Sequence, residues 1–424
     1  MPAVDLFKAV AAQLIVLHHL AFYGPMSDVV AEVWPQAIEW LARHARLAVQ
    51  VFLVVAGYLA ARQLAPGGRL SLGSAPGRHV AHLAELAALG NAAPGATLAS
   101  TRTGGECARA TAVLAVLRER YLRLVLPYAA ALAFTLACAA LARLWLQHAS
   151  IPPAPEWPQF AAHLFLLQDL LGFDALSAGV WYVAIDFQLF AVLLAVLWAA
   201  RTLERALGTR RPLAPWAVAA LSLASLFYFN RIGAWDVAAP YFLAAYGLGA
   251  MAAWWGAAAA QAGALSRRAA APAAAAPGRL HSVLFGVVAA GVVIALAIDW
   301  RSRIALAAVV AVVLAAAASW RFCLPRGAQQ VVEWASRTSY SLFLVHFAVC
   351  LLVNALFTRF MPAAPWVQGL GMLLAWAASV ACAALLHHWV EVPALRWVTG
   401  LRARAPFGRR GGEGREALAS PSVL

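Results

Sequence analysis

The chain of 424 residues is too apolar to be a soluble protein, because 63% of its residues are hydrophobic, only 12% are charged, and its mean hydropathy is +0.75. The same composition excludes an intrinsically disordered chain. The formal net charge of +14 is distributed between apolar stretches instead of clustering on a soluble face, so it does not indicate nucleic-acid binding.

Ten apolar stretches follow one another along the chain, and each reaches or approaches the length of about 20 residues that crosses a hydrocarbon core of about 30 Å. We therefore predict an all-α, polytopic membrane protein with about ten transmembrane helices. The predicted spans lie near residues 6–23, 46–64, 124–147, 180–200, 213–230, 237–256, 281–298, 303–320, 340–360 and 366–389.

The distribution of basic residues predicts the orientation of these spans. If the N-terminus is cytoplasmic, 25 of the 32 lysines and arginines fall on the cytoplasmic side and 7 on the outside. Because basic residues favour the cytoplasmic side of a membrane, both termini are predicted to be cytoplasmic. The first span starts with Asp5 and Lys8 and has no small-residue cleavage site after it, so we expect it to be retained.

The polar segments are too short to form a second domain of ordinary size. We expect one membrane-embedded domain over residues 1–400, with a flexible cytoplasmic insertion at about 66–112 that is rich in Ala, Gly, Ser and Thr. Residues 401–424 are predicted to be a disordered basic cytoplasmic tail that rests on anionic lipid headgroups. The cysteines are scattered and form no Cys-x-x-Cys pair, so we expect packing residues and no metal site.

Ionisable groups inside spans are costly, so each one is a candidate functional residue. Lys8 and His19 are eleven residues apart in the first span, which on a helix is a rise of about 16 Å. A neutral histidine can remove a proton from a hydroxyl near pH 7. The alternatives are an interhelical hydrogen bond for His19 and a snorkelling orientation charge for Lys8. His18 projects about 100° away from His19 and is expected to face another surface.

Asp186, in the fourth span, is predicted to lie at nearly the same depth as His19. Counted from the outer ends of their helices, Asp186 lies about 9 Å and His19 about 6 Å below the outer edge. A carboxylate at that depth would hydrogen-bond one imidazole nitrogen and orient the ring. The alternative for Asp186 is a structural pair with an arginine elsewhere.

Arg120 and Arg123 open the third span from the cytoplasmic side and share one helix face, where two guanidinium groups can bind phosphate oxygens. A plain orientation signal is the alternative. His346, in the ninth span, is also a candidate functional residue, and the alternative is that it packs against other helices or caps a helix. The last ionisable groups are expected to be solvated or mutually paired near the cytoplasmic interface; they are His387, His388 and Glu391.

Six motifs follow one another in order: Lys8-x10-His19, VFLVVAGY over 51–58, RYLRLVLP over 120–127, WYVAIDFQ over 181–188, SYSLFLVH over 339–346 and VEVP over 390–393. In order and spacing they resemble the acyltransferase-3 family of integral-membrane acyltransferases. The resemblance extends over about residues 3–397. Where the family's fourth-span motif usually has Glu, this chain has Asp186, whose side chain is shorter by one methylene.

The resemblance implies transfer of an acyl group, usually acetyl from acetyl-coenzyme A, to a hydroxyl of a carbohydrate. It ties Lys8 and His19 to catalysis and Arg120 and Arg123 to the acyl donor. The remaining residues of these motifs that become candidates for the substrate site are Tyr58, Trp181, Tyr182 and His346.

Residues and resemblance together predict a multi-pass O-acyltransferase of the inner cell membrane. It would use acetyl-coenzyme A or another acyl-coenzyme A as co-substrate, without a tightly bound cofactor, and would acylate a carbohydrate or glycolipid. His19, oriented by Asp186, would act as general base or as the acylated nucleophile, and Lys8 would also bind the donor. The rival interpretation is a proton-coupled transporter in which His19 and Asp186 relay protons, and a purely structural membrane subunit is a third.

The charge distribution generates a test of the topology. Reporter fusions placed after Leu64, Ser150 and Leu424 should be found inside, outside and inside the cell, respectively, because most basic residues then lie in the cytoplasm. Protease protection of the same fusions in sealed vesicles provides an independent measurement. A C-terminal reporter on the outside would contradict the predicted number of crossings.

Overall fold

The computed structural model describes residues 1–72, 102–266, 278–318 and 324–404. Within these ranges the chain is helical and contains no strand, which confirms the all-α prediction. Most of the predicted insertion and most of the predicted tail lie outside the described residues, at 73–101 and 405–424. The end of the predicted insertion, residues 102–112, belongs to a long helix, and residues 401–404 are also helical.

The helices are named in chain order. They are α1 (Pro2–Phe22), α2 (Pro25–Ala31), α3 (Pro35–His44), α4 (Ala48–Leu64), α5 (Arg102–Trp145), α6 (Trp157–Leu164), α7 (Val180–Ala206), α8 (Ala214–Phe227), α9 (Ala239–Ser266), α10 (Gly278–Ile298), α11 (Ser302–Ala317), α12 (Arg326–Phe360), α13 (Pro365–Leu386) and α14 (Val392–Arg404). A π-helical turn over His387–Glu391 joins the last two.

Every predicted span coincides with a helix, and the chain is a multi-pass membrane protein. Within the described ranges, eight helical segments are long and apolar enough to cross a membrane. The other two predicted spans coincide with shorter apolar helices, α8 with 14 residues and α11 with 16 residues. The count of ten crossings and the cytoplasmic position of the termini stay predictions.

Helix α8 packs antiparallel to its neighbour α9, as contacts at both ends of α9 show. We call the end of the bundle that holds Asp5 the inner end and the end that holds Tyr23 the outer end. Trp254, late in α9, donates to the Ala65 carbonyl at 2.8 Å, after the inner end of α4. At the start of α9, the Tyr241 carbonyl accepts from Ser225 of α8 at 3.2 Å. Helix α8 begins beside the same inner loop that follows α4, so it runs opposite to α9.

Helices α4 and α9 approach so closely that their backbones touch. A Cβ atom added at Gly57 would lie 2.0 Å from the carbonyl oxygen of Tyr246, and one added at Gly249 would lie 2.0 Å from the carbonyl oxygen of Val54. In an apolar medium, helices associate through such close packing of small residues, because burial of apolar surface gives little driving force there. The two glycines therefore hold α4 against α9.

Helices α1 and α12 run parallel and are joined by polar contacts at successive depths. At the inner end, Ser336 donates to the Asp5 carboxylate at 2.8 Å. At the outer end, the Asn354 amide donates to the Tyr23 carbonyl at 3.1 Å. Helix α13 then returns along α1, where Trp376 donates to the Gln13 side chain at 2.8 Å. The first and last spans thus form one group, which is where the candidate site lies.

The glycine contact between α4 and α9 can be tested by adding one methyl group. We expect Gly249→Ala to lower the stability of the protein by about 1–3 kcal/mol, because the added Cβ forces the two helices apart. Thermal unfolding of the protein in detergent measures this as a lowered Tm. Gly286→Ala is the matched control, since no atom lies within 4 Å of its added Cβ, and its Tm should be equal or slightly higher. Equal Tm values for both variants would show that the backbone contact is not needed.

Candidate active site

The side chain of His19 lies inside the bundle and is paired with a second histidine. His19 is 8% exposed and His346 is fully buried. Nδ1 of His19 lies 2.5 Å from Nε2 of His346, with the two rings nearly parallel at an interplanar angle of 7°. Tyr23 and Phe347 border the His19 ring, at centroid distances of 5.4 and 6.4 Å. The partner that orients the His19 imidazole is therefore a histidine of α12.

Asp186 does not orient His19, contrary to the depth argument. Its carboxylate accepts from Arg120 of α5, with 2.5 Å between Oδ2 and Nη2. The Arg120 guanidinium also lies over the ring of Phe190, 5.2 Å from its centroid. Asp186 thus has the structural arginine partner that the sequence left open as its alternative.

The depth argument failed because α7 begins well below the outer end of the bundle. The segment before it folds back along α5, where Tyr121 donates to the Leu164 carbonyl at 2.9 Å. Tyr182, near the start of α7, contacts Phe343 at a centroid distance of 5.2 Å. Phe343 precedes His346 by one turn and Asp186 follows Tyr182 by another, so Asp186 lies about 10 Å inward of the histidine pair.

The inner end of the site contains Glu391, which was predicted to be solvated or paired with a neighbouring histidine and which also contacts α12. Glu391 accepts from Ser341 of α12 at 2.6 Å and from Nδ1 of His387 at 3.0 Å. It is also close enough to attract Lys8 and Arg123 electrostatically. Glu391 thus joins α1, α5, α12 and the end of α13 in one charged group. The visible signal for it was the Glu391-Val-Pro393 sequence at the end of the last span.

The π-helical turn that carries Glu391 has a local cause. Pro393 follows it by two residues and has no backbone N–H, so it cannot donate to the carbonyl four residues earlier. A helix that loses such a bond commonly adopts a π-turn or a kink. The widened turn carries the Glu391 side chain toward α12, where it meets Ser341.

The two residues of the Arg-x-x-Arg motif have different surroundings. Arg120 is held by Asp186, whereas the Arg123 side chain is 39% exposed and forms a long ion pair of 3.8 Å with Glu119. Lys8 lies half-buried on α1, eleven residues inward of His19. Arg123 and Lys8 are therefore the cations more available to an incoming anion.

The other candidate residues lie on α4 and α7 and contact aromatic or basic side chains. Tyr182 is buried between Phe52 and Phe343, and Trp181 stacks on Phe242 at 5.7 Å. Tyr58 accepts a hydrogen bond from Arg62 at 3.2 Å. His18, in contrast, is bonded through Nδ1 to the Leu41 carbonyl at 3.2 Å, so the two adjacent histidines have different partners, as predicted.

The arrangement provides cations at the inner end and a paired imidazole farther out on the same helix. Lys8 and His19 are separated by about 16 Å along α1. Across the described ranges, no group of three or more His, Cys, Asp or Glu side chains is placed to hold a metal ion. Buried, positioned imidazoles and exposed cations are the groups that acid–base chemistry on an anionic substrate requires.

The sequence-family comparison agrees with this arrangement. The model of the acyltransferase-3 family, described as an acyltransferase domain, matches residues 1–388. The chain belongs to the acyltransferase-3 family and is a membrane acyltransferase. The resemblance drawn from the motifs is therefore confirmed. Searches of the curated proteins and of the solved structures each returned no match.

The Arg120–Asp186 pair can be tested by a double-mutant cycle. We expect Asp186→Asn to cost about 1–3 kcal/mol of unfolding free energy, because it leaves the Arg120 guanidinium without its carboxylate. The double variant Arg120→Gln with Asp186→Asn should cost less than the sum of the single variants. Unfolding in detergent measures all three.

The exposed pair Arg43–Glu39 provides the control for that cycle, since its side chains are 72% and 55% exposed. Its coupling energy should stay below about 1 kcal/mol. Strictly additive losses at Arg120 and Asp186 would show that the contact between them contributes nothing.

Proposed function

We propose that this acyltransferase moves an acyl group, in the simplest case acetyl, from acyl-coenzyme A to a hydroxyl of a carbohydrate or glycolipid at the inner cell membrane. The observation that supports this most directly is the position of a lysine about 16 Å inward of a paired, buried histidine on α1, with an exposed arginine of α5 near the same inner carboxylate. The same proposal includes a membrane domain that ends at about residue 400 and a reaction that uses no tightly bound cofactor.

The donor would bind at the inner end through its phosphates. Arg123 and Lys8 supply the positive charge there, and Glu391 lies beside both. A bound phosphate would compete with Glu391 for these two cations, since charge-assisted bonds from a guanidinium to a dianion are strong. Arg120, tied to Asp186, would hold α5 in register with α7 instead of binding the donor directly.

The distance along α1 fits the shape of coenzyme A. The reactive thioester lies at the end of a long pantetheine arm, and the separation of about 16 Å between Lys8 and His19 is comparable with its extended length. With phosphates at the inner end, the thioester carbonyl would lie beside His19. Tyr182 and Trp181 would border the arm on the α7 side.

The chemistry follows from a neutral imidazole at that point. His19 would take the proton of the acceptor hydroxyl as its oxygen attacks the thioester carbonyl. Collapse of the tetrahedral intermediate breaks the C–S bond, and the departing thiolate takes the proton back from His19. An acyl-histidine intermediate is the alternative route, in which the imidazole itself attacks and the acceptor hydroxyl attacks second.

The transporter alternative has less support from the structure than from the sequence. A proton relay between His19 and Asp186 requires contact between them directly or through titratable groups. His19 is bonded to His346, and Asp186 to Arg120, about 10 Å farther inward.

Two variants with opposite expected results test the function. His19→Ala should lower kcat by about 10²- to 10⁴-fold with donor affinity retained, because a base moves a proton and does not bind phosphate. Arg123→Ala should instead weaken acetyl-coenzyme A binding by about 10- to 150-fold, the value of one charge-assisted hydrogen bond. Binding is measured on the purified protein with radiolabelled acetyl-coenzyme A. Turnover is measured as coenzyme A thiol released by native membranes that contain the acceptor.

The matched controls are the neighbours His18 and Arg118. His18→Ala removes an adjacent imidazole with a different partner, and Arg118→Ala removes an exposed arginine two residues from Arg120. Both should stay within a few-fold of the unaltered protein. Full turnover in His19→Ala would refute the assigned base, and absence of acetyl-coenzyme A binding by the unaltered protein would refute the donor class.

A further inference from the structure

We infer that His346 is a positioning residue that fixes the tautomer of His19 and so decides which of its nitrogens acts as the base. The inference rests on the proposed function, since it assumes that His19 handles the acceptor proton. It starts from the geometry of the pair and from a backbone carbonyl on α12, and it assigns His346 a role that differs from packing.

The first step concerns the proton on His346. Nδ1 of His346 lies 3.0 Å from the Leu342 carbonyl oxygen, one turn earlier on the same helix. A carbonyl oxygen can only accept a hydrogen bond, so Nδ1 of His346 must carry the hydrogen. In a neutral imidazole the other nitrogen, Nε2, then presents a lone pair.

The second step concerns the proton on His19. The separation of 2.5 Å between Nδ1 of His19 and Nε2 of His346 holds one hydrogen and excludes two. Because Nε2 of His346 is the acceptor, Nδ1 of His19 must donate. The lone pair of His19 is thereby placed on Nε2, which has no hydrogen-bond partner within the described part of the chain and is free to receive a proton.

The opposite arrangement of protons is costly at this position. It would make His346 an imidazolium that donates from both nitrogens, inside a fully buried site. Among the described residues, no acidic side chain contacts either ring to compensate for that charge. The Leu342 carbonyl therefore selects one tautomer of His346, and His346 selects one tautomer of His19.

The same contact acts again after proton transfer. Once His19 has taken the acceptor proton, its Nδ1–H bond to His346 becomes charge-assisted and therefore stronger. An acceptor for Nδ1–H raises the basicity of the opposite nitrogen. In many catalytic sites a carboxylate accepts this Nδ1–H bond from the catalytic histidine. Here a neutral imidazole accepts it, so no negative charge is placed among apolar helices.

Two replacements of similar size separate this role from packing. In His346→Gln the side-chain amide reaches the position of Nε2, so the carbonyl oxygen can still accept from Nδ1 of His19. In His346→Asn the amide reaches only the position of Nδ1, so it can bond Leu342 but not His19. His346→Ala removes both contacts. Each variant is first checked for folding by thermal unfolding and gel filtration in detergent.

The expected result is an ordered loss of turnover with unchanged donor binding. His346→Asn and His346→Ala should lower kcat by about 10- to 100-fold, while His346→Gln stays closer to the unaltered protein. KM for acetyl-coenzyme A should change little in all three, because His346 does not approach the donor phosphates. The pH dependence of kcat should change in the Asn variant, since Nδ1–H of His19 loses its acceptor, and should change less in the Gln variant.

Two results would overturn the inference. One is full kcat in a folded His346→Asn variant. The other is an equal loss in folded Gln and Asn variants with no change in the pH profile, which is the pattern of a packing defect. His19→Ala, measured alongside, separates this from the proposed function. An inactive His19→Ala with a fully active His346→Asn refutes only the pairing, whereas an active His19→Ala refutes the base itself.

Discussion

Among apolar helices a buried polar group must find its partner inside the protein, and the parallel packing of α1 against α12 provides such partners at the candidate site. Asp5, His19 and the backbone near Tyr23 each have a partner on α12, at three depths. A shift of either helix by one turn would break all three contacts together. This shared register places the candidate base within a rigid frame, while the contacts of α12 with α5 and the return of α13 position the surrounding charges.

The charged groups of the site are arranged by sign and by depth. Arg120 is neutralised by Asp186, and Glu391 faces Lys8 and Arg123 at the inner end. In the described part of the chain no carboxylate contacts the histidine pair, and the charged side chains named above lie inward of it. Such a division suits a substrate with an anionic end and an uncharged reactive end, because each end then meets surroundings of matching polarity.

The helices were predictable because hydropathy is a sum over neighbouring residues, and a run of apolar side chains identifies a span wherever it packs. Even α8 and α11, which are short, coincide with predicted stretches. The partner of Asp186 was not predictable in the same way. Its assumed depth required α7 to begin at the outer surface, but the segment before it folds back to Leu164 beside Tyr121. The pairing of Glu391 with His387 agrees with the sequence, but its bond to Ser341 of α12 was not predicted, since it depends on how a π-turn packs against another helix.

The class of protein, the positions of its apolar spans, the family and the residues able to carry charge or protons could all be inferred from the chain, because each follows from residue type and order. Which of those residues meet depends on the packing of the helices. His19 pairs with His346, 327 positions away, and a hydrogen bond over that separation depends on how two helices slide and turn against each other. Hydropathy is nearly unchanged by a sliding of one turn, whereas a hydrogen bond is lost by a movement of about 1 Å, so the first can be inferred from the chain and the second requires the fold.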